Sequence, residues 1–426
     1  MQIVDEIGSY DDMRAKLVPW MVCFAATLFF FYEFIQGNMF ASIAAEIMRD
    51  FEIQADKMAY LSSIYYLANV VFLFVAGFVL DRFSIKKTLL IAMFLCVIST
   101  FVLAHSQSFY VALLCRFVTG IGSAFCFLGP VRLASHWFPP RRMALVTGAI
   151  VTMAMSGGML AQYPMTKLVA AVGWRQAVQD VGVLGFSMLI LMMFWIKERP
   201  EGFIKPNAQS ISVRAAARKA YLNGQYLRAG FYASLMNMAI AVFGALMGTL
   251  YLEQRLGVGA EQAAMINGML FLGAIVGSPL VGWISDKVGL RIAPMKIGVL
   301  ASLAVLLAIL YLPVSLTAMS VLFFLLGLFT SAQVISYALV AESSSPVMTA
   351  TAVSVISIVT QGGYFVYQIL FSSLLTFYGS MKLVAGVPVY SLGAYQHAAL
   401  LLPLGLVLAF VLLFGLRETH CRQVEY

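Results

Sequence analysis

Gly77-Phe78-Val79-Leu80-Asp81-Arg82, followed by Lys86-Lys87, and Gly282-Trp283-Ile284-Ser285-Asp286-Lys287, followed by Gly289 and Arg291, are two copies of one pattern. Each closes a long apolar run, and the copies lie 205 residues apart in a chain of 426. A carboxylate beside apolar segments is costly unless the structure uses it. Its return at about half the chain length points to a duplicated bundle of membrane helices.

The composition agrees. The chain is 62% hydrophobic and 11% charged, with a mean hydropathy of +0.90, whereas soluble domains carry about 25% charged residues. Apolar runs long enough to cross about 30 Å of hydrocarbon recur at roughly 17–44, 57–80, 88–104, 108–135, 143–171, 177–196, 229–252, 262–284, 293–312, 317–341, 348–377 and 395–416. The expected fold is an all-α membrane protein with twelve transmembrane helices in two pseudo-symmetric six-helix bundles. Residues 1–196 and 229–426 form the bundles, and 197–228 form a polar linker with the basic run Arg214, Arg218 and Lys219.

The net charge of +8 reports orientation rather than a polyanionic partner. With the N-terminus placed in the cytoplasm, nineteen of the 27 Lys and Arg residues fall on that side. This is the positive-inside pattern. No nucleic-acid partner is expected, and both termini are expected in the cytoplasm. The N-terminal segment lacks a short apolar stretch with a small-residue cleavage site, so the first span is expected to stay in the membrane. Cys23, Cys96, Cys115, Cys126 and Cys421 show no ligand spacing, and neither a metal nor a bound cofactor is expected.

Other positions repeat at 205 or 207 residues. Ser156-Gly157-Gly158 matches Gln361-Gly362-Gly363, Pro139 matches Pro346, and Gly120 matches Gly327. Parallel six-span repeats with a site between them are a secondary-transporter architecture. The Gly-x-x-x-Asp-Arg-x-x-x-Lys-Lys loop, Arg116-Phe117-Val118-Thr119-Gly120-Ile121-Gly122, Trp137-Phe138-Pro139-Pro140-Arg141-Arg142 and Gly173-Trp174-Arg175 together resemble the major facilitator superfamily. Phe31-Tyr32-Glu33-Phe34 and the stretch Ala332-Gln333 through Ala341-Glu342 resemble its phagosomal nutrient transporters of intracellular bacteria. That branch implies amino-acid or nucleoside uptake, with carboxylate siderophores among near relatives.

The resemblance implies a conformational latch of Gly77, Asp81, Arg82, Gly282 and Asp286. Gly77 and Gly282 would let helices approach closely, as small residues do in membranes. Asp81 would face the start of span eleven near Ser344-Ser345-Pro346, a favourable place for a carboxylate. Asp286 would face Pro139-Pro140-Arg141 at the start of span five. Lys86, Lys87 and Arg291 are expected only to hold their loops inside.

Glu33 is the one acidic residue well inside a span, about eleven residues or 16 Å from its outer end, and Arg116 lies about 12 Å deep in span four by the same helical rise. Comparable depth allows the two to pair, directly or through water or solute. Glu33 is the candidate for proton coupling. The candidate solute contacts are Glu33, Gln36, Arg116, Asn237, Gln333, Tyr337, Gln361, Tyr364 and Gln368; the last three share one helical face. The second half has no matching charges, since Met238 and Val321 stand at the offsets of Glu33 and Arg116. The antiporter pattern of span five is incomplete: Gly148 and Gly157 are present, but Ala161-Gln162 stands where Gly-Pro is usual.

The expected function is proton-coupled import of a small polar nutrient, such as an amino acid, by alternating access in a bacterial inner membrane. The expected protein is a monomer whose partners are a small solute, protons and the lipid bilayer. A siderophore, carboxylate or drug carrier working in either direction is one alternative. A transporter-like receptor without turnover is another. No nucleophile constellation or phosphate loop supports an enzyme.

Overall fold

Inside hydrocarbon a chain must satisfy its backbone N–H and C=O groups internally, and an apolar run does so as a helix. The computed structural model describes residues 2–139, 142–198, 220–344, 349–379, 382–384 and 386–424, without the side chains of 2–16, Phe78, Asp81, Ala144 and Ala350. Among the described residues, eleven helices are long and apolar enough to cross a membrane, and a pair bent by 43° makes a twelfth. An even number of spans puts both chain ends at one face of the bundle, the terminal face; the other is the distal face.

The first half comprises Gln2–Asn38, Ala55–Arg82, Ile85–His105, the broken fourth span Phe109–Ser123 and Leu128–Trp137, the broken fifth Met143–Leu160 and Tyr163–Val172, and Trp174–Trp195. The second half begins with the seventh span, Gly224–Met236, a π-helical stretch Ile240–Met247, and Gly248–Leu256. Ala260–Val288, Ile292–Tyr311, the broken tenth span Leu316–Thr330 and Val334–Glu342, Thr349–Tyr378, and Leu392–Ala399 with Leu401–Leu412 complete it. At the distal face a helix, Phe40–Asp50, follows the first span, and a two-stranded antiparallel hairpin pairs Lys382–Val384 with Val387–Val389.

The repeat is physical as well as textual. An added Cβ on Gly120 would meet the Tyr65 carbonyl oxygen at 2.3 Å, and one on Gly327 would meet that of Leu270 at 2.0 Å. Tyr65 and Leu270 are themselves 205 residues apart. Each glycine therefore seats span four on two, or ten on eight, at backbone contact.

The structure interrupts several runs expected to be continuous. The first helix ends at Asn38 rather than near residue 44. The fifth span breaks at Ala161–Gln162, where Pro164 lacks an N–H and crowds the preceding turn. Ser42 donates into this break, 2.7 Å from the Ala161 oxygen and 3.2 Å from that of Gln162.

Paired glutamates tie off the terminal face of each half. Glu198, just after span six, accepts from the Ile85 N–H at 2.8 Å and Ser84 Oγ at 3.1 Å. Glu418, just after span twelve, accepts from the Arg291 and Ile292 N–H groups, both at 2.8 Å. Each carboxylate sits on the first turn of the third helix of its half, where orphan N–H groups and the helix dipole favour an anion.

Arg291, expected only to orient its loop, is instead buried in an acidic cluster. It gives Nε and Nη2 to Glu342 at 3.2 and 2.5 Å and Nη1 to Asp286 at 2.7 Å. Thr419 Oγ1 also donates to Glu342, at 2.6 Å, so the C-terminal segment straps spans eight, nine and ten together.

Burial works to raise the Glu418 carboxyl, but the N–H donors of Ile292, Arg291, His420 and Thr419 outweigh it and hold the pKa below the ordinary value. A depressed folded pKa gives stability that is present above the unfolded pKa and lost as pH falls through the folded one. Glu418→Ala should therefore lower stability by about 1 kcal/mol at neutral pH. Thermal unfolding in detergent across pH checks this: the gap from wild type should close in acid.

Candidate functional site

The polar groups within the spans divide by exposure. On the eleventh span, Gln361 and Tyr364 are half-buried, whereas Gln368, one to two turns nearer the distal face, is fully buried. Gln162 and Asn267, also on the distal side, are fully buried too. At the terminal face, an added Cβ on Gly77, Gly148 or Gly282 would meet nothing within 4 Å. Among the described residues, the halves close at the distal face and part towards the terminal face.

Gly77 and Gly282 face open space here, so the close approach expected of them is not made in this structure. Asp286 is paired with Arg291 of its own half. Of its expected partners, Pro140 and Arg141 lie outside the described residues, as do the side chain of Asp81 and its expected counterparts Ser345 and Pro346. Arg82 is exposed at the end of its helix.

Glu33 and Arg116 are both fully buried, 1% and 0% exposed. They form no direct ion pair; Tyr65 joins them instead. Its hydroxyl donates to Glu33 Oε2 at 3.0 Å, and its ring lies 4.6 Å from the Arg116 guanidinium carbon. Phe40 covers Arg116 as well, at 4.4 Å. Such cation–π contacts are worth about 2 kcal/mol or more when desolvated, which offsets part of the cost of a buried charge.

Arg116 spends one nitrogen on the protein: Nη1 donates to the Gln36 carbonyl oxygen at 3.1 Å. Its Nε and Nη2 are buried without a hydrogen-bond partner, as is Oε1 of Glu33. Nε and Nη2 form the side-on fork that matches a carboxylate. The same two nitrogens of Arg291 are filled by Glu342. In Arg116 the fork is left to something else.

The remaining candidates separate into two groups. Gln36 gives its amide to Thr100 at 2.9 Å, and Thr100 also meets the Tyr32 hydroxyl at 2.9 Å, so Gln36 fixes the first span on the third. Asn237 donates to Ala233 O at 2.9 Å and Gln368 to Ala241 O at 3.0 Å. Both amides thus serve carbonyls at the broken seventh span. Gln333, Tyr337, Gln361 and Tyr364 are half-buried on spans ten and eleven. Tyr364 reaches the first half, its ring 4.8 Å from that of Tyr66. Tyr66 in turn packs edge-on against Tyr65 at 5.0 Å. Glu33, Tyr65, Tyr66 and Tyr364 therefore form one continuous contact across the halves.

Tyr65 and Tyr66 are functional candidates that the sequence alone did not single out. Adjacent tyrosines following Ser62-Ser63 in an apolar span are the signal that was there to read.

The sequence profile described as Major Facilitator Superfamily matches residues 22–251 and 229–423. Over 290 residues the chain is 23% identical to a probable sulfoacetate transporter of Cupriavidus necator, covering 65% of this chain and 67% of that one. It is 24% identical over 277 residues to a hexuronate transporter of Bacillus subtilis, covering 62% and 64%. A membrane sensor protein of Salmonella typhimurium is 23% identical, covering 58% and 60%. The chain thus spans about two thirds of the curated relatives it matches, or somewhat less. A bacterial homologue of the human lysosomal transporter Spinster, solved inward-facing and unoccupied, shares the fold with a TM-score of 0.72 at 19% identity, covering 93% of this chain and 95% of that one. These matches do not show the phagosomal branch. Two six-span halves, their shared glycine contacts and a profile match running nearly end to end lead to one assignment: the chain belongs to the Major Facilitator Superfamily.

Proposed function

We propose that the protein is a secondary transporter that imports a small organic solute bearing a carboxylate or similar planar anion, coupled to protons through Glu33. The observation that carries this reading is the buried Arg116 fork, two parallel donors without a partner beside a carboxylate that is itself half satisfied. Named solutes of the relatives support the anion: sulfoacetate, hexuronate, gallate and 4-hydroxybenzoate. The membrane is read as a bacterial inner membrane with both termini cytoplasmic, which makes the terminal-face opening an inward-facing state.

Protonated Glu33 is neutral and leaves Arg116 free to bind the solute anion. Deprotonated, it is a buried anion next to an unfilled guanidinium fork and competes for it. Proton and solute then stabilise one another's binding, which is the linkage that symport needs. Tyr65 touches both groups, so it can transmit the exchange without a direct ion pair. Gln333, Tyr337, Gln361 and Tyr364 would read the rest of the solute from the opposite wall.

The sensor relative makes a receptor without turnover the second reading. Counterflow decides between them. Proteoliposomes preloaded with unlabelled solute should transiently concentrate labelled solute if the protein is a carrier. A receptor would bind the solute and give no counterflow.

A further inference from the structure

Alternating access requires that the distal closure be firm enough to hold and weak enough to release. The break in span five stands at that closure. Gln162 is fully buried there, in a position where the superfamily's antiporter pattern has no amide. Its Nε2 donates across the halves to the Gly244 carbonyl at 2.9 Å. Its Oε1 accepts from Asn267 Nδ2 on span eight at 2.8 Å, and that same nitrogen also donates to the Phe243 carbonyl at 2.9 Å.

Phe243 and Gly244 lie inside the π-helical stretch Ile240–Met247. A π-bulge displaces carbonyls from the regular ladder and is frequent at functional sites. Here two such carbonyls receive the side-chain amides of Gln162 and Asn267. The Phe271 ring completes the plug, filling the space where an added Cβ on Gly158 would meet it at 2.6 Å and one on Gly244 at 3.0 Å. Glycines on both sides are needed for that ring to enter.

The seam also holds polar atoms in reserve. Asn267 Oδ1, Thr249 Oγ1 and Thr166 Oγ1 are buried without partners. Thr166 is one turn beyond Gln162, and Thr249 follows Gly248, whose added Cβ would lie 2.5 Å from Asn267 Oδ1. Opening the seam would hydrate these groups and repay part of the hydrogen bonds broken.

We infer that Gln162, Asn267 and the π-helical stretch of span seven are the distal gate: an amide latch that opens to admit solute and recloses behind it. The inference rests on the transporter reading, but its physical test does not need a solute. Spin labels on Arg49→Cys and Lys382→Cys, both exposed on the distal face and in opposite halves, report the width of the seam. The full-length protein is used, and size-exclusion elution confirms that each variant is folded.

Wild type should give mainly a short inter-label distance. Asn267→Leu, which removes one hydrogen bond between the halves, should raise the longer-distance fraction roughly threefold, and Gln162→Met, which removes two, roughly tenfold. The double variant should match Gln162→Met, because the bond that Asn267 makes across the halves is already lost with Gln162. Gln162→Glu keeps the acceptor for Asn267 but sets a carboxylate against the Gly244 carbonyl, and it should open the seam too. Unchanged distances in all folded variants would overturn the gate. A gate that responds in a protein showing no counterflow would refute the transporter reading alone.

Discussion

Arg116→Ala should abolish solute binding in a protein that still folds, at some cost in stability. The fork offers a carboxylate two charge-assisted hydrogen bonds, and losing both should weaken binding on the order of 100-fold. Arg116→Lys keeps the charge but presents a point donor, and it should be weakened by about tenfold. Deleting the guanidinium costs one hydrogen bond and the contacts with Phe40 and Tyr65 and empties a fully buried site, so the ligand-free midpoint should fall as well. A thermal-shift panel of sulfoacetate, glucuronate, gallate, 4-hydroxybenzoate, a dipeptide and a neutral hexose checks both parts. Wild type should be stabilised by at least one anion and folded Arg116→Ala by none, each shift being measured from that protein's own ligand-free midpoint. An anion shift retained in folded Arg116→Ala would instead mark the residue as a packing element.

Glu33→Gln should uncouple transport from the proton gradient. Glutamine keeps an acceptor for the Tyr65 hydroxyl, now 3.0 Å from Glu33 Oε2, and imitates the protonated acid. Exchange of internal for external solute needs no net proton movement, so it should continue near the wild-type rate. Accumulation driven by an inward proton gradient should vanish: the internal concentration should settle at the external one, whereas a gradient of one pH unit permits wild type about tenfold for one proton per neutral complex. Normal accumulation together with normal exchange in Glu33→Gln would place the coupling elsewhere.

The scaffold was largely legible in the sequence because lipid leaves few choices. Twelve apolar runs, the 205-residue offset and Gly120 with Gly327 led to two helical bundles, and the contacts with Tyr65 and Leu270 show why those glycines recur. Glu33 and Arg116 stood out for the same reason, as charges where charge is costly. Their partnership was harder to read. Tyrosine in an apolar span looks like packing, so nothing in the sequence set Tyr65 between them. Asn237 and Gln368 misled in the opposite way: their amides looked directed at a solute, yet they meet carbonyls near a helix break that apolar periodicity does not reveal. Gln162 was visible as a departure from a family pattern, but its partner carbonyl lies 82 residues away in another half. With the terminal face open, Gly77 and Gly282 have no neighbour to meet.

The most direct test of the coupled site is to watch the proton and the solute together. Proteoliposomes carrying a pH-sensitive dye inside, with no imposed gradient, receive the anion that stabilises the wild-type protein most in the thermal panel. The mechanism predicts that the lumen acidifies as solute enters through wild type, and that Glu33→Gln admits no solute-dependent proton. Solute entry through wild type without acidification, or equal acidification through Glu33→Gln, would contradict it.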